Sequence, residues 1–355
     1  MKKELNVVDL FCGAGGLSFG FAKAGFNIIL GVDNDKDSKE TFLKNHPDSQ
    51  YLLKDIRSVS KDEILSLIGD KKIDLLIGGP PCQGFSVSGK RVYMDSRNSL
   101  YLEFFRILDI LKPNHALIEN VPGLKGLFEG RALKSILEEF SKRGYKTNHS
   151  ILKADEYGVP QVRKRIIIVA SKKGEFEFPL PLSTQVTLGD AINDLPILED
   201  SIEEDQYISK PKNEYQNLMR INSNKIHNHI ASNHSDRTKS IIGLVPEGGN
   251  YKNLPKELRN TRKVHIAWTR LNSSKPSLTI DTGHRHHFHP WANRIPTVRE
   301  SARIQSFPDN FIFYGSKTSQ YRQVGNAVPP LLAEAIAQQL KKWINDENKK
   351  DIQNA

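Results

Sequence analysis

The chain has 355 residues, enough for one large domain or two smaller ones around a sizeable core. Its formal charge of +10 favours a polyanionic partner, nucleic acid above all. Two cysteines, Cys12 and Cys82, exclude a disulfide framework and point to a reducing cytoplasm, and no apolar run has the length of a signal core or a membrane span. In chain order, LNVVDLF (5–11) reads as a buried strand running into a glycine-rich turn, and LSFGFAKAGF (17–26) has helical spacing. NIILGVD (27–33) is a second strand, and a third candidate precedes Asp55 in LLKDI. KIDLLIGG (72–79) and HALIENV (115–121) follow, then an amphipathic helix, RALKSILEEFSKRGY (131–145), and the strand RKRIIIVAS (163–171). Strands separated by helix-length segments predict an α/β fold on a doubly wound, mostly parallel sheet.

The periodicity fades after FEFPLPLST (176–184). Residues 185–293 are polar, carry an acidic knot, ILEDSIEEDQY, and hold eight of the eleven histidines between His227 and His289. This region reads as a second, smaller domain of irregular or short-strand structure. PPLLAEAIAQQLKKWI (329–344) has helical spacing and a proline-led start, and NDENKKDIQNA reads as a frayed end.

Several stretches are candidates for chemistry. DLFCGAGGLSFG (9–20) is a strand ending in a glycine turn before a helix, the place where such sheets bind ligands. It is not the dinucleotide fingerprint, because Ser18 stands where the third glycine would be. Asp33 ends the next strand and suits ribose hydroxyls, and Asp55 suits an adenine amino group. A tight turn with two surface acids would leave the same pattern. In GGPPCQGFS (78–86), two prolines and flanking glycines stiffen a loop around Cys82, aiming one thiol. In HALIENVPG, Glu119 and Asn120 follow an apolar strand, where a carboxyl group can serve as an acid. Arg163 and Arg165, two apart on an extended segment, point to one face. GHRHHFHP has four histidines (284, 286, 287, 289), yet no cysteine lies nearby, so a phosphate-contacting loop is favoured and no metal is expected. Cys12 reads as a small buried filler.

Taken in order, DLFCGAGG, GGPPCQGFS, ENV, QVRKR, RIPTVRESARIQSFPD and QVGNAVPP resemble the DNA (cytosine-5) methyltransferases of bacterial restriction-modification systems. The resemblance runs from residue 9 to about 330 outside the 185–293 region. It implies a Rossmann-like, S-adenosylmethionine-dependent catalytic domain over 1–184. A target-recognition domain would span 185–317, its variable part 185–293, and segment 318–355 would pack back on the first. By the resemblance, Cys82 adds to carbon 6 of a flipped cytosine, Glu119 attends ring nitrogen 3, Arg165 contacts the base and Arg163 supports the cluster. The cofactor S-adenosyl-L-methionine would meet Phe11, Gly13, Gly15, Asp33, Asp55, Ile56, Pro81, Leu100, Asn326 and Val328. Ser86, Ser88 and Arg97 would touch DNA. Arg299, Glu300 and Arg303 are expected to form an internal ion-pair network rather than to read bases.

The expected partner is double-stranded DNA, with a monomer acting in a bacterial or phage-infected cytoplasm and a cognate restriction endonuclease sharing its site without contact. Three alternatives stay open. A tRNA cytosine-5 methyltransferase keeps the chemistry, but the sizeable variable region favours DNA. A nicotinamide-dependent oxidoreductase fits the sheet but not the broken glycine pattern or the Pro-Pro-Cys loop. A non-catalytic DNA-binding relative is disfavoured because Cys82, Glu119 and Arg165 are all present.

Overall fold

The computed structural model describes residues 4–81, 100–199, 202–261, 268–283 and 287–353. The chain divides into two compact units. The first comprises Met1–Lys153, Lys164–Pro181 and Leu331–Ala355; the second comprises Ala154–Arg163 and Leu182–Pro330. These divisions fall at 181 and 330, where the sequence suggests 184 and 317, and residues 154–163 group with the second unit.

The first unit is a seven-stranded sheet in the order β3-β2-β1-β4-β5-β7-β6. Its strands are β1 (Asn6–Leu10), β2 (Asn27–Asp33), β3 (Gln50–Leu53), β4 (Leu75–Gly78), β5 (His115–Asn120), β6 (Lys146–Lys153) and β7 (Lys164–Ser171). The β1–β5 pairings are parallel, whereas β7 runs antiparallel to both β5 and β6. Every residue of β4 and β5 is buried, as expected for strands covered on both faces. That is why they read as continuous apolar runs. The helices α1 (Gly16–Lys23), α2 (Lys36–Asn45), α3 (Lys61–Ile68), α4 (Leu100–Leu111) and α5 (Arg131–Lys142) connect them.

One large core joins Val8, Leu76, Ile118 and Ile168 of the sheet to Ile64 of α3, Phe104 and Phe105 of α4, and Ile136 and Phe140 of α5. The C-terminal helix, Pro330–Gln353, docks elsewhere on this unit. Lys341 Nζ caps the end of the α1 segment at the carbonyls of Ala24 (2.8 Å) and Gly25 (2.9 Å), and the Trp343 ring meets His115 at 5.5 Å. The helix runs on to Gln353, so the polar tail read as frayed is helical over most of its length. The order of winding reverses at β1: the chain adds β2 and β3 on one side of it and β4 and β5 on the other, all parallel. The carboxyl ends of β1 and β4 therefore form the switch point at which open α/β sheets bind ligands.

The second unit has little regular structure among its described residues: α6 (Leu188–Ile192), α7 (Glu214–Met219), α8 (Asp236–Gly243), α9 (Val298–Ile304), α10 (Lys317–Asn326), and the two-residue strands β8 (Thr269–Arg270) and β9 (His287–Phe288). Irregular chain leaves many backbone carbonyls without ladder partners, and buried carbonyls need donors. Arginines supply them. Arg270 Nη2 reaches Ile242 O and Asn293 Oδ1, both at 2.7 Å, and its Nε reaches Val245 O at 2.7 Å. Arg299 donates to the carbonyls of His227 (2.7 Å), Pro308 (2.8 Å) and Phe311 (2.6 Å). Arg303 grips Asp309 through two 2.6 Å bonds, and Arg294 grips Glu300 through two at 2.8 Å. Burial alone would raise the Glu300 carboxyl, but Arg294 and His289 hold it well below the usual carboxylate range. Arg299, Glu300 and Arg303, expected as one internal ion-pair network, are indeed paired internally but in two separate groups: Arg299 and Arg303 at Asp309, and Glu300 with Arg294.

Candidate active site

The turn after β1 is built from left-handed residues. Phe11 (φ 58°), Gly13 (φ 52°) and Gly15 (φ 88°) fold five residues into a tight bend that ends as the N-cap of α1. For Phe11 this conformation is costly, of order 1–3 kcal/mol, and it leaves the half-buried ring at the sheet's carboxyl edge. Asp33, at the end of β2, fastens the bend: its Oδ2 accepts from Gly13 N at 2.8 Å and its Oδ1 from Asp35 N at 2.9 Å. Burial pushes the Asp33 carboxyl up, against the lowering by those two N–H groups. A Cβ on Gly13 would find no atom of the described residues within 4 Å, so among them this side of the bend faces open space.

Asp55 follows β3. Arg57 engages both of its oxygens, Nε to Oδ1 at 3.0 Å and Nη2 to Oδ2 at 2.5 Å, and these bonds bring the carboxyl down to about 2. Ile56 is buried, and its carbonyl accepts from Arg106 Nη2 at 2.8 Å. Leu100 opens α4 and is half-buried, as is Pro81.

Glu119 and Arg165 meet through strand register. Glu119 of β5 lies opposite Ile167 of β7, so Arg165, two residues earlier, is its diagonal neighbour on the same face. Arg165 Nε stands 2.7 Å from Glu119 Oε1. The adjacent Asn120 donates from Nδ2 to the Pro80 carbonyl at 2.9 Å. One strand end thus holds both the acid and the start of the Pro-Pro loop, an anchorage that pattern reading does not predict because the partners are forty residues apart.

Arg163 is placed differently. β7 begins at Lys164, so the alternation that would align it with Arg165 has ended. It is buried in the second unit and donates to the carbonyls of Ile280 (3.2 Å) and Gly325 (2.8 Å). Asn326, the exposed last residue of α10, and buried Val328 also belong to the second unit. Gln305 Nε2 holds their segment at Ala327 O, 2.7 Å away. A Cβ on Gly325 would lie 2.5 Å from Asp281 O, so only glycine fits there. His289 accepts from Trp291 N and Ala292 N through Nδ1 and faces Glu300 Oε1 through Nε2 at 3.5 Å. Cys12 is buried, and burial pushes its thiol well above the ordinary value, a setting for an inert thiol rather than a nucleophile. Cys82, Ser86, Ser88 and Arg97 lie outside the described residues.

The model of the C-5 cytosine-specific DNA methylases matches residues 5–342. The chain belongs to that family. Among cytosine-specific DNA methylases and their relatives, the type II methyltransferase M1.HphI of Haemophilus parahaemolyticus is 40% identical, over 97% of this chain and 88% of its own length. The type II methyltransferase M.DdeI of Desulfomicrobium norvegicum is 36% identical, over 97% and 92%. A solved structure of a candidate DNA modification methyltransferase encoded within an E. coli prophage superposes with a TM-score of 0.82 at 30% identity, covering 96% of this chain and all of that one. For a DNA cytosine methylase, the two features found here are apt: a glycine bend that faces open space beside a fixed acid, and an arginine-braced carboxyl group at the neighbouring strand end.

Proposed function

We propose that the chain transfers a methyl group from S-adenosylmethionine to carbon 5 of one cytosine in a specific double-stranded DNA sequence, protecting that DNA against a cognate endonuclease of a type II system. It would act as a monomer in the cytoplasm of a bacterium or phage-infected cell. The observation that carries the reading is the Glu119–Arg165 pair at 2.7 Å, at the carboxyl end of β5 and one residue from the Asn120 anchor of the Pro80 carbonyl.

The residues around the β1 turn fit the methyl donor. Gly13 leaves room for close approach, Asp33 retains lone pairs toward ribose hydroxyls, and Asp55 is a fixed anion at the rim. Phe11, Gly15, Ile56, Pro81 and Leu100 complete the proposed set, with Asn326 and Val328 assigned on the resemblance alone. When bound, the donor supplies an electrophilic sulfonium methyl.

The cytosine ring must first become nucleophilic at carbon 5. In this reading Cys82, as thiolate, bonds to carbon 6; the electron pair of the 5,6 double bond moves between carbons 4 and 5, the pair of the carbon 4–nitrogen 3 double bond moves onto nitrogen 3, and Glu119 supplies the proton there, leaving an enamine nucleophilic at carbon 5. Arg165 holds the Glu119 carboxyl in register. After methylation the carbon 5 proton leaves, the double bond re-forms and the sulfur–carbon bond breaks. The base must leave the helix for this, at a few kcal/mol of unstacking and unpairing. Ser86, Ser88 and Arg97 are assigned to the DNA face, and the 185–293 region to sequence reading.

The test is covalent trapping on duplex DNA carrying 5-fluorocytosine with S-adenosylmethionine present. A crosslink that survives denaturation and disappears in Cys82→Ser is expected. Its absence in the wild-type protein, or methylation of tRNA in place of duplex DNA, overturns the reading.

A further inference from the structure

Beneath the glycine bend sits a buried histidine that the proposed mechanism does not use. His46 follows α2 and its Nε2 lies 3.2 Å from the carbonyl oxygen of Gly15. A carbonyl only accepts, so the ring carries its proton on Nε2. Burial pushes its pKa down to about 4, which keeps the ring neutral. Phe42 lies against it at 4.5 Å, and Phe19 meets its edge at 6.1 Å.

The fit is close on every side. A Cβ on Gly15 would stand 2.5 Å from His46 Nε2 and 2.8 Å from Phe42, and one on Gly31 of β2 would stand 2.7 Å from Phe42. Two glycines, one in the bend and one in the strand, therefore make the room that Phe42 and His46 fill.

We propose that His46 is a positioning residue for methyl-donor binding: it fixes the Gly15–Gly16 peptide plane and so the direction of the Gly16 N–H that opens α1. The inference rests on the reading that this bend holds the donor. Glycines at 13, 15 and 16 give the bend little stiffness of its own. The Gly15 oxygen already accepts from Phe19 N at 2.8 Å; His46 occupies its second lone pair, and with both taken the plane cannot turn without breaking a bond. A hydrogen bond at the oxygen also polarises the N–H of the same peptide unit. A leucine would fill the space as well as histidine does, but only a donor at the Nε2 position would add this second bond to the one from Phe19 N.

The experiment titrates S-adenosylhomocysteine calorimetrically into the full chain and measures steady-state methylation in His46→Leu and His46→Gln. Glutamine returns an N–H donor at nearly the same reach. His46→Leu should bind about tenfold more weakly, the size of one lost hydrogen bond. The KM for the methyl donor should rise with kcat retained, and DNA affinity should stay constant. His46→Gln should recover most of the loss. Should the leucine variant fail to fold, His46→Met makes the same comparison. Unaltered binding in the apolar variant overturns the inference, as does a loss that glutamine does not restore, which would mark a packing role. Asp33→Ala separates the two ideas: if it too leaves binding unchanged, the donor site itself has been misplaced, whereas weakened binding there beside an unaffected His46→Leu removes only the role of His46.

Discussion

Arg165→Ala takes away the guanidinium against which Glu119 rests. The pair is 2.7 Å apart, with side chains 14% and 11% exposed, so solvent screens it only in part. Hydrogen bonds to charged groups in such settings contribute about 1.5–3 kcal/mol. At about 1.4 kcal/mol per decade, loss of that orientation should lower kcat/KM by about 10- to 100-fold. The fold should tolerate the change, because the other hydrogen bond of Arg165 among the described residues runs only to the neighbouring Lys164 carbonyl at 2.8 Å. Incorporation of labelled methyl groups into duplex DNA gives the rate, and thermal unfolding of the same preparation gives the stability. Arg165→Lys keeps a charge but not the planar fork, and should recover part of the rate only. A rate for Arg165→Ala within threefold of wild type, at unchanged melting temperature, would refute the claim that this arginine sets the geometry of the acid.

Three further outcomes follow from the interior. Burial raises Asp9 to about 8, against the lowering by Ser18, whose Oγ donates to it at 2.6 Å. A raised carboxyl stabilises the fold only while protonated, so its contribution is complete below the usual value near 4 and is lost as pH climbs through about 8. The melting temperature of Asp9→Asn should therefore match wild type near pH 4 and exceed it by a margin that grows up to about pH 8 and then levels off; a pH-independent difference would contradict this. Arg270→Ala strands buried acceptors on two segments, 242–245 and 289–293, and should cost about 3–5 kcal/mol in denaturant unfolding, with lysine no remedy; a cost under about 1 kcal/mol would show that the carbonyls find other donors. Lys341→Met removes the cap on the α1 segment and should lower the unfolding midpoint by the equivalent of about 1 kcal/mol, a shift that vanishes if the C-terminal helix is held by its apolar face alone.

What the sequence reveals about this fold depends on where each element lies. Central strands covered on both faces must be apolar throughout, so NVVDL, LLIG and HALIEN are visible as soon as they are read. β6 is an edge strand, KTNHSILK, mostly half-exposed, with polar and apolar residues mixed, and nothing in that string separates it from a loop. The helices of the second unit are five to eight residues long before α9, too short to show a period. Their starts are nonetheless written in the chain: Thr187 with Asp190, Asn213 and Ser235 each cap a first turn. The same contrast holds at the site. Glu119 and Arg165 stand out through local motifs, while the bonds of Asn120 to Pro80 and of His46 to Gly15 join residues 40 and 31 apart and emerge only when the sheet forms.

The basic composition gives the last case. Read as a sum, +10 points outward to a polyanion. Yet Arg163, Arg270, Arg294, Arg299 and Arg303 are all buried, with exposures of 6% or less. None of the five presents its charge to a partner. Arg294 and Arg303 are spent on Glu300 and on Asp309 with Asp194, and Arg163, Arg270 and Arg299 largely on backbone carbonyls of a region with few strands and short helices. A lysine ammonium could not replace them, because one point charge cannot reach several carbonyls in a plane. Part of the positive charge is therefore structural, a consequence of building a unit from irregular chain. The electrostatic signal for DNA must come from the exposed lysines and arginines alone, and substitutions at the five buried positions should change stability without changing the salt dependence of DNA binding in whatever fraction still folds.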